Sequence, residues 1–414
     1  MLAGRVRPGQ RAVAGGRFYV CGMTIGLASR AAVSTSVLCT AGLLVLAPAA
    51  ASTAADSGPS PSSGPRATKA APAKLLYRRG TQVRPHRKAP ELPELSAKAW
   101  LVADARSGDV LAARNAHRKL PPASTLKTLF ALTVMPSLPA GIRHTVSEKE
   151  LRGIGPGSSL VGVAEDRTYW VADLWNGVFL NSGNDAVHVL AALNGGWQVT
   201  AERMEAKARA LGARDTRVKS PDGYDTPGQV SSAFDLAVFG RAGLKNPEFA
   251  RYCKKRFALF PARDGSTYPI RNTNRLLTGA DDVEPYKGLI GIKNGYTTHA
   301  GHTLVAAARR DGRTLVATVM NPQEGGAHAV YEEARELLDW GFAAAGRVDP
   351  VGSLDALRDR PLTGPEVEAG PARAGALDDG GRAGAVWAIA AAALLGGAVV
   401  GVSLRLAWGP VPSD

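Results

Sequence analysis

Two pairs of apolar runs, each joined by a tight turn, predict two β-hairpins near the ends of the central part of the chain. The first pair flanks Arg106-Ser107-Gly108, and the second flanks Arg310-Asp311-Gly312. An Asp-Gly step between apolar runs is a strong hairpin signal, because these residues readily adopt the backbone conformation of a tight turn. With one more apolar run before the second hairpin, the predicted strands are 99–104, 109–113, 289–293, 302–308 and 314–320.

Between the hairpins, apolar residues recur at helical spacing and predict a helical section. Pro121 and Pro122 cannot continue a helix, Ser124 favours a helix start, and Pro136 stops the apolar run that follows. The other predicted helices are 171–180, 187–193, 201–211, 232–243 and, after the second hairpin, 327–342. The order hairpin, helices, hairpin, helix predicts an α+β fold, in which an antiparallel sheet is flanked by helices and a helical subdomain is inserted.

The first 94 residues do not have the composition of a globular domain. Residues 1–51 contain arginines but no acid, followed by an apolar run and a small-residue segment, the order typical of a secretory signal peptide. Residues 52–94 are rich in Pro, Ser, Ala, Lys and Arg and have few large apolar side chains. Such a segment cannot bury a core, so we expect an extended basic linker in an exported protein.

The C-terminal region predicts a membrane anchor. Residues 384–404 contain no charged side chain and are flanked by an arginine on each side, and about 20 such residues span a bilayer. With a cleaved leader, we expect the body on the extracellular face of the membrane and a cytoplasmic tail at 405–414. Residues 346–383 are rich in Gly, Pro, Asp and Arg and indicate a second linker, which leaves 95–345 as one globular domain.

Charge and cysteine usage fit this organisation. Of the formal net charge of +14, residues 1–51 and 52–97 carry +5 each, so only +4 belongs to the rest of the chain. This distribution argues against a globular nucleic-acid-binding domain and suits an anionic wall or membrane surface. Cys253 is the single cysteine outside the predicted leader, so we expect no intrachain disulfide and interpret this residue as a buried small hydrophobe.

The first candidate for chemistry is the pair Ser124 and Lys127. Side chains three residues apart share one face of a helix, so Lys127 Nζ can lie within hydrogen-bond distance of Ser124 Oγ. If burial lowers the pKa of this lysine, its neutral amine can accept the serine proton. Taken alone, the spacing also fits a serine that caps a helix and a lysine that is solvated.

Two further motifs follow in chain order. Ser182-Gly183-Asn184 lies between two predicted helices, where a polar tripeptide also fits a helix cap, and Lys293-Asn294-Gly295 is on a predicted strand. Acyl transfer needs a nucleophile with an adjacent base, a proton relay to the leaving amine, donors for the oxyanion and a cation for a substrate carboxylate. The three motifs together supply a candidate for each requirement.

These residues resemble those of the penicillin-recognising serine acyl-transferases and, among them, the D-alanyl-D-alanine carboxypeptidases of the low-molecular-mass penicillin-binding protein type. Gly183, where class A β-lactamases have Asp, favours the carboxypeptidase branch. The resemblance covers roughly residues 95–345. Further segments that look like the carboxypeptidase pattern are Asp104–Asn115, Pro122–Thr125, Ser182–Ala186, Asn274–Leu277 and Gly295–Thr297.

The resemblance implies a β-lactamase/transpeptidase-like fold and a two-step reaction on peptidoglycan stem peptides, without a metal or organic cofactor. Lys127 is the implied base for Ser124, which attacks the carbonyl of the penultimate D-alanine, and Ser182 relays a proton to the departing D-alanine. The oxyanion is expected between the backbone N–H groups of Ser124 and Tyr296. β-Lactams are the implied covalent inhibitors. The implied substrate-binding residues are Asn184, Lys293, Asn294, Gly295, Tyr296 and Thr297.

Two departures from the family pattern leave alternatives open. Asn294 stands where the family usually has Thr, and since its amide can still donate, we expect altered rather than lost binding. Asp222-Gly223-Tyr224-Asp225 replaces a His-Gly-Leu-Asp-like segment. The alternatives are D,D-endopeptidase or β-lactamase activity at the same site, or a catalytically weak wall-binding homologue. His299 and His302 are expected on opposite faces of a strand, so they predict no metal site.

Overall fold

The computed structural model of the protein describes residues 74–357. Along this part of the chain the strands are β1 (Thr81–Val83), β2 (Ala99–Asp104), β3 (Asp109–Arg114), β4 (Arg143–Thr145), β5 (Thr168–Trp170), β6 (Phe257–Pro261), β7 (Thr267–Arg271), β8 (Leu289–Thr297), β9 (Gly301–Arg310), β10 (Arg313–Met320) and β11 (Gly352–Ser353). The α-helices are α1 (Lys127–Val134), α2 (Glu148–Leu151), α3 (Val171–Leu180), α4 (Asn184–Leu193), α5 (Trp197–Ala210), α6 (Ala233–Leu244), α7 (Pro247–Cys253), α8 (Arg275–Thr278) and α9 (Ala329–Ala344).

The two predicted hairpins, β2–β3 and β9–β10, lie side by side in one seven-stranded antiparallel sheet. The strand order is β1-β3-β2-β10-β9-β8, and β11 also pairs with β3. In the middle of the sheet β2 pairs with β10, from Asp104 opposite Leu315 to Ala99 opposite Met320. The predicted α+β fold, with an antiparallel sheet built from the two ends of the domain and helices inserted between, is therefore confirmed. Strand β8 stands at one end of this strand order and is therefore an edge strand of the sheet.

Both faces of this sheet are covered by helices. On one face α9 packs against β2, β9 and β10, and its predicted apolar stripe is buried, including Val330, Ala334, Leu337 and Leu338. On the other face α6 packs against the same three strands and joins a larger apolar core with α1. Each fully buried leucine of these layers contributes about 1.5–3 kcal/mol relative to an exposed one. The fixed layers provide a rigid support for the edge strand β8.

The helical section differs from the prediction in detail. Helix α3 has the predicted bounds, but Ser124 does not cap a helix: it lies within a 3₁₀ turn, Ala123–Leu126, that leads into α1. The sequence pattern also did not predict the small hairpin β6–β7, which forms its own sheet. Its two prolines, Pro261 and Pro269, remove backbone donors, and such residues usually argue against a strand.

Ordered elements extend into ranges that the sequence indicates as linkers. Strand β1 and strand β11 both pair with β3, and Leu76 is buried beside them. The sequence pattern did not predict these pairings, and the domain limits at 95 and 345 stay predictions. The predicted signal peptide, 1–51, and the predicted span and tail, 384–414, lie outside the described residues. Within residues 74–357, no helix is both long and apolar enough to cross a membrane.

Candidate active site

Ser124 and Lys127 meet where the 3₁₀ turn passes into α1. Lys127 Nζ donates hydrogen bonds to Ser124 Oγ at 2.8 Å and to the Asp222 carbonyl oxygen at 2.6 Å. Burial lowers the pKa of Lys127 to about 8, although the carboxylates of Asp222 and Asp185 oppose this shift. An amine of that pKa is partly neutral near neutral pH. The pair can therefore act as a nucleophile with an adjacent general base.

The backbone around Ser124 is held in an unusual conformation. Ala123 has a φ of 49°, in the left-handed region that residues with a side chain rarely adopt. Gly223 packs directly against the Ala123 carbonyl, where a Cβ at position 223 would clash with the carbonyl oxygen. The turn at 222–223 thus both fixes the serine turn and supplies the carbonyl that binds Lys127.

Ser182 and Asn184 form a second group between α3 and α4. Ser182 also has a left-handed backbone, with a φ of 58°, and among the described residues its buried Oγ has no hydrogen-bond partner. Asn184 Nδ2 donates to Ser158 Oγ at 3.0 Å. No side chain caps α4, so the capping interpretation of this tripeptide is wrong. A buried hydroxyl without a partner is costly to retain, which is typical of a functional position.

Strand β8 brings Lys293 and Gly295 to the opposite side of Ser124. A Cβ on Gly295 would lie 2.6 Å from the Ser124 backbone nitrogen, so only glycine permits this approach. Lys293 is 2% exposed, and its Nζ donates to the Asn294 carbonyl oxygen at 2.9 Å. Burial and, next, the Lys127 ammonium lower the pKa of Lys293 to about 7. Two buried lysines therefore share the site.

The Asn294 side chain makes a different set of contacts. Its Oδ1 accepts a hydrogen bond from Thr273 Oγ1 at 3.0 Å. The Thr273 N–H donates to the Leu180 carbonyl oxygen at 2.9 Å, and Tyr331 Oη donates to the Thr273 carbonyl oxygen at 3.3 Å. Thr273 therefore connects β8 to the end of α3, which leads to Ser182, and to α9.

The remaining predicted residues, Tyr296 and Thr297, lie along the cleft. Tyr296 is 61% exposed, and its ring packs on His302 with centroids 4.6 Å apart. Thr297 Oγ1 donates to Asp225 Oδ1 at 2.7 Å. The cleft has a volume of about 200 Å³ and is lined by Ser124, Pro156, Gly157, Ser158, Ser159, Asn184, Gly223, Tyr224, Asp225, Tyr296, Thr297 and Thr298.

The structure thus places four of the predicted residues on the cleft surface, Ser124, Asn184, Tyr296 and Thr297. Three more are buried: Lys127, Ser182 and Lys293. Gly295 lies against Ser124, whereas the side chain of Asn294 is engaged with Thr273.

The segment Asp222–Asp225 was noted from the sequence as a departure from the family pattern, but the contacts that Ser158, Asp222 and Asp225 make in the site were not predicted. Their side chains or carbonyl groups contact Asn184, Lys127 and Thr297, respectively. The turn signal Pro221-Asp222-Gly223 marks a sharp reversal of the chain. It does not indicate what the turn packs against.

Comparison with known proteins agrees with this geometry. A model of the peptidase S11 family, D-alanyl-D-alanine carboxypeptidase, matches residues 86–324. The D-alanyl-D-alanine carboxypeptidase DacB2 of Mycobacterium tuberculosis is 40% identical over 273 residues, which cover 64% of this chain and 88% of DacB2. DacD of Escherichia coli is 33% identical over 266 residues, covering 61% of this chain and 65% of DacD. A crystal structure of a D-alanyl-D-alanine carboxypeptidase from M. tuberculosis H37Rv superposes with a TM-score of 0.60 at 38% identity, covering 66% of this chain and 100% of that one.

The chain belongs to the peptidase S11 family of serine-type D-alanyl-D-alanine carboxypeptidases. The family resemblance and the transpeptidase-like fold predicted from the sequence are thereby confirmed. Peptidoglycan stem peptides as substrates and β-lactams as ligands fit this family.

Proposed function

We propose that Ser124 is the nucleophile of this carboxypeptidase and that Lys127 is its general base. The observation that carries the proposal is the 2.8 Å hydrogen bond from a buried lysine of lowered pKa to the serine hydroxyl. Neutral Lys127 accepts the Ser124 proton as Oγ forms a bond to the carbonyl carbon of the penultimate D-alanine. The carbon–nitrogen bond to the terminal D-alanine then breaks, and a proton passes to that amine through Ser182.

Strand β8 supplies the second half of the proposed site. The close approach of Gly295 to the Ser124 nitrogen supports an oxyanion site between the N–H groups of Ser124 and Tyr296. Because β8 is an edge strand, an extended peptide can pair with its backbone. Asn184, on the side of the cleft opposite β8, orients the substrate amide. Water then hydrolyses the Ser124 ester and releases the shortened peptide.

We place the terminal carboxylate of the substrate next to the Lys293 ammonium. A carboxylate there stabilises the charged form of this lysine, whose pKa is otherwise lowered by burial and by Lys127. The Asn294 amide stays a candidate ligand for the same carboxylate, but its oxygen is already bonded to Thr273. We therefore assign the main electrostatic contact to Lys293.

Release of D-alanine from a synthetic pentapeptide by the purified full chain tests this assignment. Wild type is expected to release one D-alanine per peptide, and Ser124→Ala none above background. Release by Ser124→Ala at the wild-type rate contradicts the role of Ser124. Cleavage of a cross-linked dimer without D-alanine release indicates an endopeptidase, and rapid hydrolysis of penicillin indicates a β-lactamase.

We further propose that the protein is exported and anchored by residues 384–404. The support is the basic, apolar and small-residue order of the leader and the uncharged run near the C terminus. Carbonate extraction of membranes from an expressing bacterium checks this. The full chain is expected in the pellet and a chain ending at residue 383 in the soluble exported fraction. A full chain extracted as readily as the truncated one contradicts the anchor.

A further inference from the structure

A basic recess lies apart from the catalytic cleft, where the start of the described chain meets the turn after β3. It has a volume of about 650 Å³ and is lined by Arg78, Arg79 and Arg118. Among the residues that the structure describes, none lines both this recess and the cleft that contains Ser124. Arg78 and Arg79 belong to the range that the sequence indicates as a basic linker, so part of that charge is held on the folded domain.

The two segments that carry these arginines are held together by backbone contacts. Leu76 is buried in the core beneath the first segment, and Asn115 joins this segment to the second. Asn115 Oδ1 accepts a hydrogen bond from the Gly80 N–H at 2.9 Å, and the Arg118 N–H donates to the Asn115 carbonyl oxygen at 2.8 Å. The backbone of the recess is therefore ordered before a ligand binds, which lowers the entropic cost of binding.

Within residues 74–357, the three guanidinium groups have no ionic partner. All three arginines are exposed, and none of their side chains makes an ion pair or a hydrogen bond in this range. The one carboxylate among the described lining residues, Asp215, accepts hydrogen bonds from His117 Nδ1 and Ser232 Oγ, both at 2.8 Å. Like charges gathered in one recess create a positive potential that attracts an anion.

Tyr77 adds an aromatic surface to the recess. Its ring stacks on that of His117, with centroids 4.1 Å apart and an interplanar angle of 6°, and Tyr77 is 58% exposed. A ring that lies parallel to its neighbour offers a flat face to a ligand chain, whereas binding to a bilayer favours apolar side chains that insert between the lipids. The concave shape and the stacked ring therefore favour a polymer chain over a membrane surface.

We propose that this basic recess binds an anionic wall polymer whose repeating charges are phosphate groups. Guanidinium groups bind phosphate through paired N–H donors, and the three cations of the recess are arginines rather than lysines. Binding there retains the enzyme at the wall and leaves the catalytic cleft open, since the two sites have no described lining residue in common.

Binding of the purified full chain to poly(glycerol phosphate) tests the inference by calorimetric measurement of Kd. Wild type is expected to bind, and its Kd to rise about tenfold between about 50 and 200 mM salt as counterions are released. The triple variant Arg78→Gln, Arg79→Gln and Arg118→Gln is expected to raise Kd by about tenfold or more. The corresponding Lys variant, which keeps the charge but not the paired donors, is expected to have a smaller effect. Both variants are expected to release D-alanine from a soluble pentapeptide at the wild-type rate, which verifies that they are folded.

The matched control removes the same charge from three exposed arginines outside the recess whose side chains also lack a partner within residues 74–357: Arg106→Gln, Arg256→Gln and Arg309→Gln. It is expected to change Kd by less than about twofold. Equal weakening by the two Gln triple variants overturns the inference, because binding then depends on net charge alone. Wild-type binding to poly-L-glutamate that is as tight as binding to the phosphate polymer overturns it, and so does binding to anionic phospholipid vesicles without binding to the polymer.

Discussion

The wall that carries Ser124 and the wall formed by β8 each hold a buried lysine, but different contacts support the two. Lys127 lies one helical turn after the serine it contacts, and a single carbonyl, that of Asp222, completes its environment. Lys293 sits on an edge strand whose next residue, Asn294, is tied through Thr273 to α3 and α9. In the first wall a local turn sets the contact of Ser124 with Lys127 and the distant turn at 222–223 supports it, whereas the second wall is tied to α3 and α9. We expect substitutions of Lys127 to affect the chemical step and substitutions of Lys293 or Thr273 to affect substrate binding, whereas a substitution of Gly295, where the two walls meet, affects acylation.

The largest effect is expected at Lys127. Lys127→Met removes the base, and Lys127→Arg keeps a cation that cannot lose its proton at working pH. Both variants are expected to lower the acylation rate by about 10³–10⁴-fold, measured with a fluorescent penicillin under single-turnover conditions. If Lys127→Arg keeps more than about a tenth of the wild-type rate, the role of this lysine is electrostatic, and the general-base assignment is wrong.

Gly295→Ala tests how closely the two walls approach. The new methyl group falls 2.6 Å from the Ser124 nitrogen, so β8 must move away from the oxyanion site. We expect acylation to fall by about 100-fold and the free energy of unfolding by about 1–3 kcal/mol. Gly141→Ala is the matched control, because a Cβ there meets no atom within 4 Å. Wild-type acylation by Gly295→Ala contradicts the proposed oxyanion site.

The two lysines together predict a bell-shaped pH profile. Acylation needs neutral Lys127, whose pKa is about 8, and substrate binding needs protonated Lys293, whose pKa is about 7. Because the two groups interact, the apparent pKa values belong to the pair, and the active form, which has one proton and carries it on Lys293, reaches its highest fraction between about pH 7 and 8. We expect kcat/KM to change by about tenfold per pH unit outside this range, rising with pH below it and falling with pH above it.

Lys293→Met distinguishes the contributions of Lys293 and Lys127 to this pH profile. It is expected to weaken binding of the carboxylate substrate and to abolish the falling limb, while the rising limb due to Lys127 persists. A wild-type profile that is flat between pH 5 and 9 contradicts the assignment of both lysines.

The smallest effect is expected from Thr273→Val, which removes the hydroxyl that holds Asn294 while keeping the side-chain volume. Since Thr273 is exposed, we expect little loss of stability but an increase of about three- to tenfold in KM, with kcat less affected. Thr273→Ser restores the donor and is expected to restore KM. Equal impairment of the serine and valine variants indicates that the hydrogen bond to Asn294 does not set the position of β8.

Local patterns predict the parts of this protein that are built from neighbouring residues. The hairpins follow from apolar runs around Asp-Gly and Ser-Gly turns, and the contact of Lys127 with Ser124 follows from helical spacing. The order of the motifs and the family resemblance predict that β8 joins the site. The α+β architecture was predictable for the same reasons.

The other features of the candidate site could not be predicted, because they depend on contacts between residues that are distant in sequence. The Asp222 carbonyl is bound from 95 positions away, and Thr297 meets Asp225 across 72 positions. Nothing in the sequence near Asn294 indicates that Thr273 binds its side-chain oxygen. The left-handed backbone conformation of Ala123 could not be predicted either, because Gly223, which packs against it and permits it, is distant in sequence.

Mass spectrometry of the intact full chain after brief exposure to penicillin, followed by peptide mapping, identifies the nucleophile directly. If Ser124 is the nucleophile, one covalent adduct is expected, located on Ser124 and absent from Ser124→Ala. An adduct on Ser182, or an unmodified wild-type chain under conditions in which a related carboxypeptidase is fully labelled, would contradict it.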